Sequence, residues 1–423
     1  MSARRLRERG EIVLSGFRVL DLTDEKGLLC GRMLGDLGAD VIKIEKPGGD
    51  PARNIGPFYH DIPDPEKSLH WFAYNANKRG ITLNIETTDG QSIFKRLVET
   101  ADFVIESFSP GYMERLGLDY PSLSKLNQRI VVTSITPFGQ TGPYRDYKAA
   151  DIVGMAMGGL MYLTGEPDRP PLSISIPQSY LHAGGDAAVG AMIAHYHREK
   201  SGEGQHVDVS IQESLIWTTA SSIPFYELHG SKLGRTGALR AGHYENAMER
   251  QLWPCKDGFV IFNLVGGVFG AKINGALTEW VDSEGLADEF IKGIDWNEFD
   301  MATVTQDTIN RVEKPIGDFF LNHTKSEIYE GAMQRGIGVC PVSGMKDLME
   351  NPQLGAREFW VDITHPELGE TITYPGVAVV ASETPCRIRR RAPLIGEHNQ
   401  EIYEKELGFT ETELSTLKQD KVI

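Results

Sequence analysis

From Gly16 onward the chain alternates strand-length apolar runs with helix-length amphipathic ones, and this rhythm constrains the fold more than any other feature. VLDL is followed by LLCGRMLGDLG, then ADVIKIE, GITLNI, TDGQSIFKRLVETA, DFVIES and RIVVTSI. Gly38 is placed to stop the first helix, because glycine just beyond the last periodic residue adopts the left-handed terminal conformation at little cost. Strands separated by helices predict βαβ units and a parallel sheet covered on both faces. Ligands of such sheets gather at the carboxyl ends of the strands. That directs attention to the loops EKPGG at 45–49 and ESFSPG at 106–111. Neither is a G-x-G-x-x-G or a phosphate-binding P-loop, so no dinucleotide or nucleoside triphosphate site is signalled.

The rhythm stops near Ser222. A Gly- and Arg-containing stretch leads into LWPCKDGFVIFNL, which reads as two strands joined by a Lys256-Asp257-Gly258 turn, and a mostly helical region runs from there to Arg335. The expected organisation is a large Rossmann-like domain over 1–222, a linker over 223–250, and a smaller α+β domain over 251–341. A return linker over 342–374 and a C-terminal part over 375–423 then complete the large domain. The arginines at 4, 5, 7 and 9 read as a solvated arm, since Arg18 and Asp21 interrupt the apolar stretch that a signal peptide would need.

A chain of 423 residues with 40% hydrophobic content can fill two cores. Its net charge of −16 argues against general binding to nucleic acids or anionic membranes, both of which need a basic surface. The longest uncharged stretches, 152–165 and 170–185, fall short of the ~18 residues that span a bilayer. Cys30, Cys255, Cys340 and Cys386 are far apart without C-x-x-C spacing, which predicts reduced thiols in a cytoplasm and no zinc site. His195 and His197 stand two apart on a helical pattern and cannot chelate one metal together.

The segment from Pro170 to Leu215 is the most informative for function. It runs Pro-Pro, a short strand-like stretch, an Ala/Gly-rich helix, the turn KSGEGQ and the strand VDVSI. Six further segments and a strand accompany it in order: VLDLT, LGADVIKIEKPGGDPAR (37–53), NANKRGITLNI (75–85), ESFSPGYMERLGL (106–118), FGQTGPYRDYKAADIVGMAMGGLMYLTG (138–165), GVCPVSGMKDLMENPQLGAR (338–357) and RAPLIGEHN (391–399). Together they resemble the class III (formyl-CoA transferase-like) CoA-transferases over nearly the whole chain. The resemblance implies a Rossmann-like large domain built from both chain ends, a small central domain, and two subunits threaded through each other. It also implies no permanently bound cofactor and a coenzyme A thioester as substrate.

In that family a nucleophilic aspartate precedes the Ala/Gly-rich helix. Here the count from Pro170 or from Gln205 lands on Tyr180, and slipping by one residue offers only Ser179 or Leu181. The chemistry needs a carboxylate, which attacks a thioester to form a mixed anhydride and then carries CoA itself as a thioester. A phenol with an ordinary pKa of about 10 forms an ester and cannot do this. A second departure lies in the loop after VLDLT, which reads DEKGLL at 24–29, is one residue short, and adds two carboxylates where a polyanion would lie.

CoA contacts implied by the resemblance fall on Lys46, Phe108 and Arg115. The basic run Arg387, Arg389, Arg390 and Arg391 could answer phosphate charge, although a solvated edge strand is the plainer reading. The favoured expectation is a non-catalytic subunit whose paralogous catalytic partner supplies the aspartate, in an interlocked heterodimer or heterotetramer. Its reaction would move CoA from succinyl-CoA to an aryl-substituted succinate such as benzylsuccinate. One alternative is an active homomeric transferase or acyl-CoA epimerase that uses Asp186 or Asp151. Asp186 lies six positions on, about 9 Å along a helix, and Asp151 is placed to cap a helix starting at Ile152. The other alternative is a non-enzymatic CoA-thioester-binding or structural protein.

Overall fold

The computed structural model describes residues 12–230, 233–241 and 247–423. The arginines at 4, 5, 7 and 9 lie outside the described residues, as does part of the Gly/Arg-containing stretch before residue 250.

Six parallel strands form one sheet: β1 (Arg18–Leu22), β2 (Asp40–Glu45), β3 (Lys78–Thr82), β4 (Phe103–Glu106), β5 (Val131–Thr136) and β6 (His206–Ser210). Their order is β3-β2-β1-β4-β5-β6, so the winding reverses between β1 and β4. This is the doubly wound arrangement expected from the strand–helix alternation, with its ligand crevice at the reversal. Strands β1 to β5 are buried on both faces, whereas the edge strand β6 exposes His206 and Asp208. Leu20, Ile42, Ile81, Val104 and Val132 feed one apolar layer, while Val19, Val41, Phe103, Val131 and Ile135 feed the other. The helix Leu28–Asp36 ends where Gly38 takes φ +107°.

The sheet's centre carries charge that apolar periodicity does not announce. Strand β3 begins at Lys78, ahead of the apolar GITLNI run, because ion pairs bury its first two side chains. Lys78 Nζ lies 2.8 Å from Asp21 Oδ2, both side chains being fully buried, and Arg79 reaches Asp40 at 2.6 Å. Burial opposes the Asp21 carboxylate, yet the Lys78 and Lys43 ammonium groups outweigh it and hold its pKa below the ordinary value. At Lys78, burial outweighs the attraction of Asp21 and its pKa falls.

The C-terminal residues close the same layer as β3. Ile402, Tyr403, Leu414, Val422 and Ile423 pack with Ile81 and Val104, the Tyr403 hydroxyl donates to the Thr82 carbonyl at 2.6 Å, and Asn84 N–H donates to the Val422 carbonyl at 2.7 Å. The basic run at 387–391 forms no strand. Arg389 instead donates to the Gly35 carbonyl at 2.7 Å and answers the end of the helix Leu28–Asp36, while Arg391 pairs with Glu367 and Glu397. Arg387, Arg389 and Arg390 remain exposed, and the charge of Arg389 serves a helix end whose unpaired carbonyls favour a cation.

The described residues divide into two compact units, one within 12–160, 173–228 and 353–423, the other within 161–172 and 229–352. The second holds a three-stranded antiparallel sheet in which Leu252–Cys255 and Gly258–Ile261 pair across Lys256-Asp257. The helices Gly267–Ser283, Gln306–Asn322 and Lys325–Arg335 cover it, with Trp253, Phe262, Trp280, Phe319 and Phe320 in its core. Within 342–374, read above as a return linker, Trp360–His365 and Glu370–Pro375 pair as an antiparallel hairpin. No helix among the described residues is long and apolar enough to cross a membrane.

Candidate functional site at the reversal of the sheet

The loops leaving β1 and β4 meet above the reversal. Asp24 N–H donates to Ser107 Oγ at 2.8 Å, and the Ser107 hydroxyl donates to Asp24 Oδ1 at 2.7 Å, so each loop fixes the other. Lys43, buried in β2, donates to the Thr23 carbonyl and pairs with Asp50 at 3.1 Å. Asp24 also pairs with Lys26. Between these loops and 137–149 lies a crevice of about 300 Å³, lined by Asp24, Lys26, Ser107, Phe108, Arg145 and Lys148 among others.

Of the three CoA contacts expected from the sequence, only Phe108 lines this crevice. All three nevertheless gather around Tyr112. Phe108 stacks on its ring at 4.5 Å between centroids, and the Arg115 guanidinium lies 5.7 Å from the ring centre. The Tyr112 hydroxyl donates to Glu86 at 2.8 Å, and Lys46 pairs with that carboxylate at 3.0 Å. The cations that do border the crevice, Lys26, Arg145 and Lys148, were not among the expected contacts. Arg145 and Lys148 stand in the FGQTGPYRDYKAAD stretch singled out above, and this pair of basic residues three positions apart was the available signal.

Tyr180 is the third residue of the helix Gln178–Ser201. Its side chain is buried and belongs to the layer formed by Cys30, Ala183 and Ile211. Burial, reinforced by the Glu25, Asp151 and Asp24 carboxylates, raises its pKa far above the ordinary phenol value, so it stays protonated. Glu25 responds in the same sense. Partial burial and the neighbouring Asp24 raise its pKa, with Asp50 and Asp151 adding to the effect.

Asp151 does not cap its own helix. The helix Asp151–Met157 starts at Asp151 itself, after Ala150, with no side-chain cap. The Asp151 carboxylate turns instead to Ser179, accepting from its N–H at 2.9 Å and its hydroxyl at 2.6 Å. The first N–H groups of the long helix need such an acceptor, whereas its preceding residue, Pro177, offers none. Gly154 permits the approach, because a Cβ there would lie 2.7 Å from Ser179 Oγ. Asp186 sits exposed on another face of the helix from buried Tyr180. Gly184 meets Leu29 so closely that a Cβ would lie 2.9 Å from its side chain. The small-residue face therefore serves the contact with the helix Leu28–Asp36.

On the other side of the sheet, Glu106 is buried at the end of β4 in a polar cavity of about 220 Å³ shared with Ser134, His206, Tyr120 and Arg145. Phe108 N–H donates to Glu106 Oε2 at 2.7 Å, and Ser134 Oγ lies 2.9 Å from His206 Nε2. Burial pushes the Glu106 carboxyl up to about 7, against the hydrogen bonds from Ser134 and Phe108.

Residues 14–399 match the profile of CoA-transferase family III. The chain is 35% identical over 404 residues to the succinyl-CoA:(R)-benzylsuccinate CoA-transferase subunit BbsE of Thauera aromatica, covering 95% of this chain and 96% of that protein. It is 34% identical to a succinyl-CoA–D-citramalate CoA-transferase of Chloroflexus aurantiacus, covering 97% and 98%. The crystal structure of a CAIB/BAIF family protein from Brucella suis superimposes with a TM-score of 0.79 at 28% identity, over 93% of this chain and 99% of that one.

Proposed function

The chain belongs to CoA-transferase family III, and from that premise we propose that it is the non-catalytic subunit of a hetero-oligomeric CoA-transferase. Tyr180 carries the reading: a buried, protonated phenol stands where the transfer needs an ionised carboxylate. A paralogous catalytic subunit supplies that carboxylate. Its oxygen attacks the thioester carbonyl and expels CoA thiolate, leaving an acyl anhydride on the enzyme. The thiolate then attacks the enzyme's carbonyl carbon of the anhydride, releasing the donor acid and leaving CoA on the enzyme as a thioester. The acceptor carboxylate takes CoA through a second anhydride by the reverse of these steps.

The relationship to the T. aromatica subunit favours succinyl-CoA as donor and an aryl-substituted succinate, such as benzylsuccinate, as acceptor. The unpaired cysteines suit a cytoplasmic enzyme. Lys46, Phe108 and Arg115 are residual CoA contacts, weakened by Glu86, which already neutralises Lys46. Asp151 and Asp186 are poor replacement nucleophiles, one being committed to Ser179 and the other facing away from Tyr180.

Co-expression with a family III paralogue from the same genome that carries aspartate at the position of Tyr180 tests this reading. The expected result is transferase activity for the pair and none for the isolated chain, with any trapped enzyme–CoA adduct on the partner. An active isolated chain, or an adduct on one of its own carboxylates, overturns the proposal.

A further inference from the structure

The crevice lined by Asp24, Phe108 and Lys148 is unsuited to a coenzyme A thioester in both charge and size. Its charged side chains are three cations, Lys26, Arg145 and Lys148, against two carboxylates, Asp24 and Asp146. One positive charge is left over, whereas the phosphates of CoA bring several negative ones. The volume of about 300 Å³ stands at the lower end of the roughly 300–1,000 Å³ of small-molecule sites, too little to enclose a nucleotide and a pantetheine arm together. Of the expected CoA contacts only Phe108 reaches it.

Two of the cations are uncommitted. The Lys148 ammonium has no hydrogen bond or ion pair among the described residues, and Arg145 Nε, 3.4 Å from Asp146, is buried without a hydrogen-bond partner. Lys26, by contrast, is paired with Asp24. Both walls carry an aromatic ring, Phe108 on the loop after β4 and Tyr147 on the loop opposite. Tyr147 is 58% exposed, yet its ring is held in place. It stacks on Tyr144 at 5.1 Å between centroids, and the buried Phe138 meets these two rings edge-on at 6.4 and 5.8 Å. An anchored ring that faces solvent beside an unpaired ammonium is complementary to a ligand that is aromatic at one end and anionic at the other.

We propose that the crevice holds a small aryl-substituted carboxylic acid and not CoA, with the aryl group between Phe108 and Tyr147 and the carboxylate on Lys148 and Arg145. The choice of an aryl acid over other aromatic anions rests on the acceptor proposed above. With a protonated phenol at position 180, the bound acid meets no nucleophile, so it is held reversibly and no bond forms or breaks. This chain then contributes a binding site for the acid without contributing the chemistry.

The test is isothermal titration calorimetry of the purified chain, with whatever partner co-purifies, using benzylsuccinate as the probe and succinate and CoA as comparisons. Tyr147→Ala and Lys148→Ala, both at exposed positions, remove one aromatic wall and the free cation. Wild type is expected to bind one more equivalent of benzylsuccinate per copy of this chain than either variant does, and Lys148→Arg, which keeps the charge, should retain that equivalent. Succinate, which lacks the ring, should bind this site roughly tenfold more weakly or worse, and saturating CoA should not displace benzylsuccinate from it. Equal stoichiometry in wild type and both alanine variants overturns the proposal, as does displacement by CoA or succinate binding as tight as that of benzylsuccinate. Turnover is not the readout: an active isolated chain would overturn the subunit role and leave this binding measurable, whereas missing binding would leave the role standing.

Discussion

Asp151 opens one helix and closes the end of another. Its carboxylate accepts two hydrogen bonds from Ser179, 2.9 Å from the N–H and 2.6 Å from the hydroxyl, and so holds the first turn of the helix that carries Tyr180. Asp151→Ala and Ser179→Ala should each lower unfolding free energy by roughly 1–2 kcal/mol, as loss of a helix cap does. The double variant should cost little more than either single one. Denaturant titrations of the three variants check this, and additive losses would mean that the two residues act separately.

Restoring aspartate at position 180 should not restore chemistry. The new carboxyl would enter a buried place that already feels Glu25, Asp151 and Asp24, and both burial and like charge disfavour the ionised nucleophile. Tyr180→Asp should therefore form no hydroxylamine-sensitive adduct when incubated with an acyl-CoA, as read by mass spectrometry of the intact protein. Adduct formation by that single variant at neutral pH would refute the electrostatic account.

Glu106 should make the folded state less stable as pH rises. Its folded pKa of about 7 lies above the ordinary value of 4.5, so the native protein holds a proton that the unfolded chain releases between these values. Stability is then fully present below about 4.5 and falls as pH climbs to about 7, by on the order of 3 kcal/mol. Glu106→Gln should abolish this component. The stability difference between variant and wild type, followed across that window, should grow in the variant's favour.

Breaking the Asp21–Lys78 pair should be the most costly of these changes. Both side chains are fully buried, and removing Lys78 leaves a carboxylate in the sheet with Lys43 as its nearest remaining counter-charge. Lys78→Met should destabilise by about 3–5 kcal/mol. Asp21→Asn with Lys78→Met should recover part of the loss. Thermal and denaturant unfolding measure both.

Much of the fold was legible because its signal is local. VLDL, DFVIES and RIVVTSI are strands, Gly38 stops a helix, and the strand–helix alternation gives a parallel sheet. Contacts between distant segments were not. The start of β3 depends on Asp21 and Asp40 receiving Lys78 and Arg79, and the run at 387–391 shows no sign in sequence that exposed Arg389 answers the helix end at Gly35. Asp151 shows the same limit: its position before an apolar run suggests a cap for that run, whereas Ser179, 28 residues away, is where its carboxylate goes. At the candidate site, the carboxylates around Tyr180 come from two separate segments, Asp24 with Glu25 and Asp151, and neither is adjacent to it in sequence. Lys46 and Arg115 gave no local sign that they would sit around Tyr112 instead of lining the crevice.

The burial of Val422 and Ile423 beside Ile81 and Val104 has a consequence for synthesis on the ribosome. Apolar side chains of β3 and β4 wait, only partly covered, until translation has passed the whole of the second unit and delivered residues 402–423. Throughout that interval the nascent chain presents an adhesive half-finished layer, so its yield in cells should depend on chaperones that shield such surfaces.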